Sequence, residues 1–105
     1  MEKDKKQEFG KATNEQIAQW KAMHGDVYEV SVEGHYGYLK KPDRNTLSYA
    51  TSMGQSDPMK FNELVLRNCW LDGSGVLQDK DEYFFAVVAQ LDVLIEVKDA
   101  EIKKL

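Results

Sequence analysis

Apolar and polar positions follow two periods along this chain. Between Val27 and Lys40 the period is two: Val27 to Val32 is β-branched and aromatic, Glu33-Gly34 supplies a tight turn, and His35 to Lys40 returns. A two-residue loop pairs Val32 with His35 and Tyr28 with Leu39. That register puts Tyr28, Val30, Val32 and Leu39 on one face, expected to be core. Tyr36 and Tyr38 fall on the other, expected to be half-exposed or to meet a partner. A lone hairpin is marginal, so it needs helices beneath it or a strand of another chain beside it.

Elsewhere the period is that of a helix. Thr13 reads as an N-cap with Gln16 completing a capping box. Ile17, Trp20 and Met23 or His24 line one face of a short helix that Gly25 ends. Lys41-Pro42-Asp43 breaks the returning strand, and Asp43 caps a helix from Arg44 to about Met53, with Leu47, Ala50 and Met53 inward. Gly54 stops it. Ser56 or Asp57 with Pro58 opens the next helix, on which Phe61, Leu64, Val65 and Cys69 fall at helical spacing, with Trp70 and Leu71 following. Asp72-Gly73-Ser74-Gly75 reads as a loop, and Val76-Leu77 as a short apolar link.

The last quarter, Asp81 to Leu105, reads as one long helix capped by Asp79 or Asp81 and closed by Lys103 and Lys104, with Asp99 and Lys103 as an i, i+4 pair. Phe84, Val87, Val88, Leu91, Leu94, Ile95 and Ile102 make one stripe. Phe85, Ala89, Val93 and Val97 make a second that steps off it. A helix so apolar all round needs cover on both sides, by its own domain and by another chain. The second stripe is therefore the candidate protein interface, together with Tyr36 and Tyr38. The predicted fold class is α+β: a mainly helical single domain over residues 13–105, with one β-hairpin and a long C-terminal helix. Residues 1–12 are read as a flexible N-terminal arm.

Totals narrow the function classes. At 105 residues, with 42% hydrophobic residues, the chain can bury one core. A net charge of -4 argues against non-specific binding to DNA or an anionic membrane. The single Cys69 rules out an internal disulfide and a cysteine-rich zinc site, and fits a reducing compartment. The start carries charges and no apolar segment of a secretion signal, and the apolar run from Tyr83 to Leu91 is too short to span a bilayer. The expectation is a soluble, cytoplasmic protein with no membrane partner.

No constellation specifies a reaction. Cys69 with His24 or His35 as base would need an activating motif; the cysteine lies on an apolar stripe and reads as core. His24 and His35, with Asp26 or Glu33, lack the spacing of a metal site. Asp72-Gly73-Ser74-Gly75 lacks both the acidic ladder of a calcium loop and the lysine of a phosphate loop. Asp79, Asp81 and Glu82 are first-turn acids of a helix. Lys40, Lys41 and Arg44 beside Tyr36 and Tyr38 are a possible nucleic-acid contact, since cations hold phosphates while aromatics stack on bases, though three cations in an acidic chain leave a weak footprint.

The layout resembles the small bacteriophage tail assembly chaperones. The resemblance rests on a short leading helix, the segment HGDVYEVSVEGHYGYLKKPDR with its Lys40, Lys41, Pro42 and Arg44, a helix after it, the segment DPMKFNELVLRNCWLDG and a long closing helix. It spans roughly residues 14–105 as organisation, without a diagnostic motif. It implies a non-enzymatic, cofactor-free factor of tail morphogenesis in the host cell cytoplasm, binding the tape-measure or another virion protein and keeping its coiled-coil segments soluble. The periodicity adds the expectation of a homo-oligomer. Two alternatives stand beside this: a structural virion component, such as a head–tail connector or capsid accessory protein, and a small nucleic-acid-binding regulator.

Overall fold

The hairpin forms as its pattern predicts. In the computed structural model, which describes residues 8–95 and 97–105, β1 (Val27–Val32) pairs antiparallel with β2 (His35–Lys40), with Val32 opposite His35 and Tyr28 opposite Leu39. Glu33 (φ 49°) and Gly34 (φ 84°) both take left-handed backbone, as the turn between twisted strands requires.

Two helices precede and follow it at the predicted caps. Helix α1 (Asn14–His24) starts on Thr13, whose hydroxyl accepts from the Gln16 amide at 3.1 Å while the Gln16 side chain accepts from the Thr13 amide at 3.0 Å. Helix α2 (Arg44–Gly54) starts on Asp43, whose carboxylate accepts from the Thr46 amide at 2.8 Å. That bond holds the Asp43 carboxyl below its usual range. Ala50 is fully buried and Leu47 packs on the core, but Met53, expected inward, is exposed. Helix α3 (Pro58–Cys69) opens on Asp57 with proline in its first turn.

The chain then departs from expectation. Trp70 and Leu71 do not continue α3; Trp70–Gly73 is a third strand, β3, antiparallel to β2 with a bulge between Tyr38 and Leu39. The sheet order is β1-β2-β3, so the hairpin is the first two strands of a three-stranded sheet. Strand preference is set by packing against cross-strand neighbours more than by intrinsic propensity, and β2 offers this segment such a partner. Asp72 and Gly73, read as loop, lie in this strand. The apolar link is a one-turn helix, α4 (Val76–Asp79), that buries Leu77 completely.

The long closing helix is not formed. Helix α5 covers only Asp81–Val88, without a side-chain cap from either Asp79 or Asp81. A 3-10 turn follows at Leu91–Leu94, and 97–105 has no regular structure, so neither the closing lysines nor Asp99 with Lys103 act on a helix. The physical reason lies in what the core needs. The amides of Gln90 and Val93 bond to carbonyls three residues back, and the tighter winding brings Leu91 and Leu94 onto one side. Both are buried with Phe84 and Val87. Beyond them Val97, Ile102 and Leu105 have nothing to cover, and a nine-residue helix in water does not persist on propensity alone.

One core joins these elements: Leu39 from the sheet, Ala50 from α2, Val65, Leu66 and Cys69 from α3, Leu77 from α4, and Phe84, Val87, Leu91 and Leu94 from the last segments. It lies on the predicted face of the hairpin, with Tyr28, Val30 and Val32 packed at its margin. The opposite face is covered by α1, whose Trp20 ring sits 5.4 Å from that of Tyr38. Of the arm read over 1–12, residues 1–7 lie outside the described residues. Residues 8–12 are bound rather than loose. The Phe9 amide donates to the Gly34 carbonyl and its carbonyl accepts from the Tyr36 amide, both at 2.8 Å. Gly10 (φ 82°) follows, and a Cβ there would lie 2.4 Å from the Ser74 nitrogen.

Candidate interaction surface

The residues of the second stripe are all at the surface. Phe85 and Val93 are each 54% exposed, Val97 is 85% exposed, and Ala89 is open to solvent. They do not form one stripe, because the helix that would align them ends at Val88. Phe85 stands on α5 and lines a depression with Met59, Leu66 and Phe84 against α3. Val93 stands on the 3-10 turn and faces β1. Val97 lies in the extended tail.

Val93 belongs to the more apolar concavity. A groove of about 310 Å³ runs between β1 and the segment from Val87 to Leu94, walled by Tyr28, Val30, Leu39, Leu91 and Leu94. Its polar groups are few, Gln90 and the β1 residues Glu29 and Ser31. Concave, mostly apolar walls with sparse polar groups suit the apolar side of another molecule. Sequence periodicity found Val93 but assigned it to the wrong geometry. It missed the groove, because the β1 margin and residues 87–94 are brought together only by the break in the helix.

Tyr38 is not an interface residue of the folded chain. It is 1% exposed beneath Trp20. Its hydroxyl donates to Glu29 at 2.7 Å and accepts from the Ala12 amide at 3.1 Å. Burial, more than the Glu29 bond, pushes its pKa up. Tyr36 is half-buried, with the Lys11 ammonium 4.2 Å over its ring and its hydroxyl on Glu8. The proposed nucleic-acid contact therefore lacks its stacking platform. Its cations are partly engaged as well: Lys41 pairs with Asp26 at 3.3 Å, Lys40 is half-buried and Arg44 is exposed on α2.

The remaining candidates resolve into structure. Cys69 is fully buried, and burial pushes its thiol up to about 11, against the pull of the Lys40 cation. A thiol so far from ionisation is a poor nucleophile. His24 is exposed on α1, and no group of three or more metal-binding side chains exists among the described residues. His35 does meet a serine: its Nδ1 lies 2.7 Å from Ser74 Oγ. Phe9 stacks on one face of that ring at 4.6 Å and Tyr83 meets it edge-on at 5.3 Å, with the Tyr83 hydroxyl donating to Glu33. Neither His35 nor Ser74 lines the groove. The cluster pins the Phe9 segment to the turn and to the end of β3. Among the described residues no helix is long and apolar enough to cross a membrane.

No family model matches the chain, and no curated protein and no solved structure is similar to it.

Proposed function

We propose that this is a non-enzymatic protein-binding domain that holds an amphipathic segment of a partner in the groove between β1 and residues 87–94. The observation supporting the reading is the exposure of Val93 at the rim of an apolar concavity whose floor, Leu39, Leu91 and Leu94, is closed core. A partner helix would lay its apolar side there, reading as anchors three and four residues apart. The long closing helix of the resembling layout is not formed, so the layout supports the reading only through its leading helix, hairpin and following helices. On that part and on the groove, the role proposed is tail assembly chaperone-like in phage morphogenesis, the client being the coiled-coil of a tape-measure or similar virion protein.

The test is direct. A fluorescently labelled amphipathic coiled-coil peptide is titrated with the full chain, and the light scattering of that peptide above its solubility limit is followed with and without the protein. Saturable binding and suppressed scattering are expected, both lost in Val93→Glu and both retained in Arg44→Ala. Binding indifferent to Val93→Glu would remove the groove from the proposal, and no binding at all would end it.

A further inference from the structure

We infer that β1 is a self-pairing edge: two copies of the chain join their β1 strands antiparallel about a two-fold axis at Val30, making one six-stranded sheet. β1 is the outer strand of the order β1-β2-β3. Its backbone directions follow from the turn. With Val32 opposite His35 across two residues, Val32, Val30 and Tyr28 exchange hydrogen bonds with β2. Glu29 and Ser31 then point their N–H and C=O groups away from it. The other side of β2 agrees, since Tyr36, the partner of Ser31, turns its amide to Phe9 and its carbonyl to the Ser74 amide.

Among the described residues this edge carries little of the usual protection against pairing. Proteins blunt exposed edges with lysine, proline, bulges or shortness. β1 is six residues long, pairs with β2 without a bulge, and contains neither proline nor lysine. Its one charge, Glu29, is already met on the opposite face by Lys11 at 3.7 Å and the Tyr38 hydroxyl. The far edge of the sheet differs: β3 is four residues, ends on Gly73, and its row beside β2 is continued by Phe9.

The side chains select a second copy as occupant, and they select the register. Val27, Glu29 and Ser31 present the outward groups, and Val27 against Glu29 overlaps only the first three residues of each strand. Glu29 against Glu29 sets like charges face to face. Ser31 against Ser31 overlaps little more than the strand end. Glu29 of each copy against Ser31 of the other gives two hydrogen-bonded pairs and centres Val30 on Val30. Tyr28 then meets Val32 twice, at non-hydrogen-bonded sites where side chains come closest, and aromatic with β-branched is a favourable cross-strand pair. A continuous sheet keeps each core face on the same side, so the two grooves flank the axis. The pairing is argued from the strand alone and goes beyond the proposed function, which needs no dimer.

Sedimentation equilibrium of the full chain, with no client present, tests it. A concentration-dependent dimer is expected, in which the amides of Glu29 and Ser31 exchange hydrogen more slowly as concentration rises. Ser31→Pro removes an outward N–H and should give a folded monomer by circular dichroism. Ser31→Glu places like charges opposite each other twice and should weaken the dimer roughly five- to tenfold, whereas Ser31→Lys should not weaken it. A wild-type monomer up to about millimolar concentration overturns the inference. So does a dimer that survives Ser31→Pro, or equal weakening by the Glu and Lys variants. If Ser31→Pro fails to fold, the contrast between the two charged variants decides.

Discussion

At Gly37 the absence of a methyl group decides whether Trp70 can seat. A Cβ there would lie 2.6 Å from the Trp70 ring and 3.1 Å from Leu77, both on the core side of the sheet. Gly37→Ala should therefore lower the unfolding free energy by about 1–3 kcal/mol, through overpacking, measured by urea denaturation. Cys69 makes a second residue-scale prediction. Its thiol should not react with a disulfide reagent in the native chain, and should react at once in denaturant, because burial and a thiol raised to about 11 deny the reagent both access and thiolate. The same shift fixes a pH dependence. An unfolded thiol ionises near 9 while the folded one holds its proton to about 11, so the unfolded state gains stability over that window. The buried Tyr38 hydroxyl, also raised, acts in the same sense. Thermal midpoints should fall between pH 9 and 11, and fall less steeply in Cys69→Ala.

At the scale of elements, what was legible was local. The hairpin register, the capping box at Thr13 and the caps at Asp43 and Asp57 each depend on residues within a few positions of one another, and the structure forms all of them. What was not legible depends on distant partners. Trp70 and Leu71 continue the apolar period of α3, yet the open side of β2 takes them as a strand. Phe9 reads as part of a charged arm until the turn at Gly34 and the His35 ring are there to receive it. The candidate interface was half legible: the exposed positions were found, but their alignment presumed a helix that packing interrupts. That interruption is itself testable. Deleting residues 97–105 removes side chains that bury almost nothing, so the unfolding free energy should change by no more than about 0.5 kcal/mol. The helical circular dichroism signal per molecule should stay constant too. A fall in that signal would mean the tail is helical after all.

At the scale of the molecule, stability and recognition fall to neighbouring residues on one short segment. Leu91 and Val93 are two positions apart on the same 3-10 turn, yet Leu91 is 4% exposed and Val93 is 54% exposed. Leu91→Ala removes packing from a closed core and should cost about 2–5 kcal/mol. In a domain of this size that is a large part of a total of about 5–10 kcal/mol, so the variant should melt early. Val93→Glu trades an exposed apolar side chain for an exposed charge and should leave the melting curve nearly where it was, within about 0.5 kcal/mol. Its effect should appear only where a partner must be desolvated against it. Measured side by side, the two variants separate the roles. Loss of peptide binding in Val93→Glu at unchanged thermal midpoint assigns the groove to recognition, whereas a shared loss of midpoint would make the whole turn core and leave the exposed rim without a function.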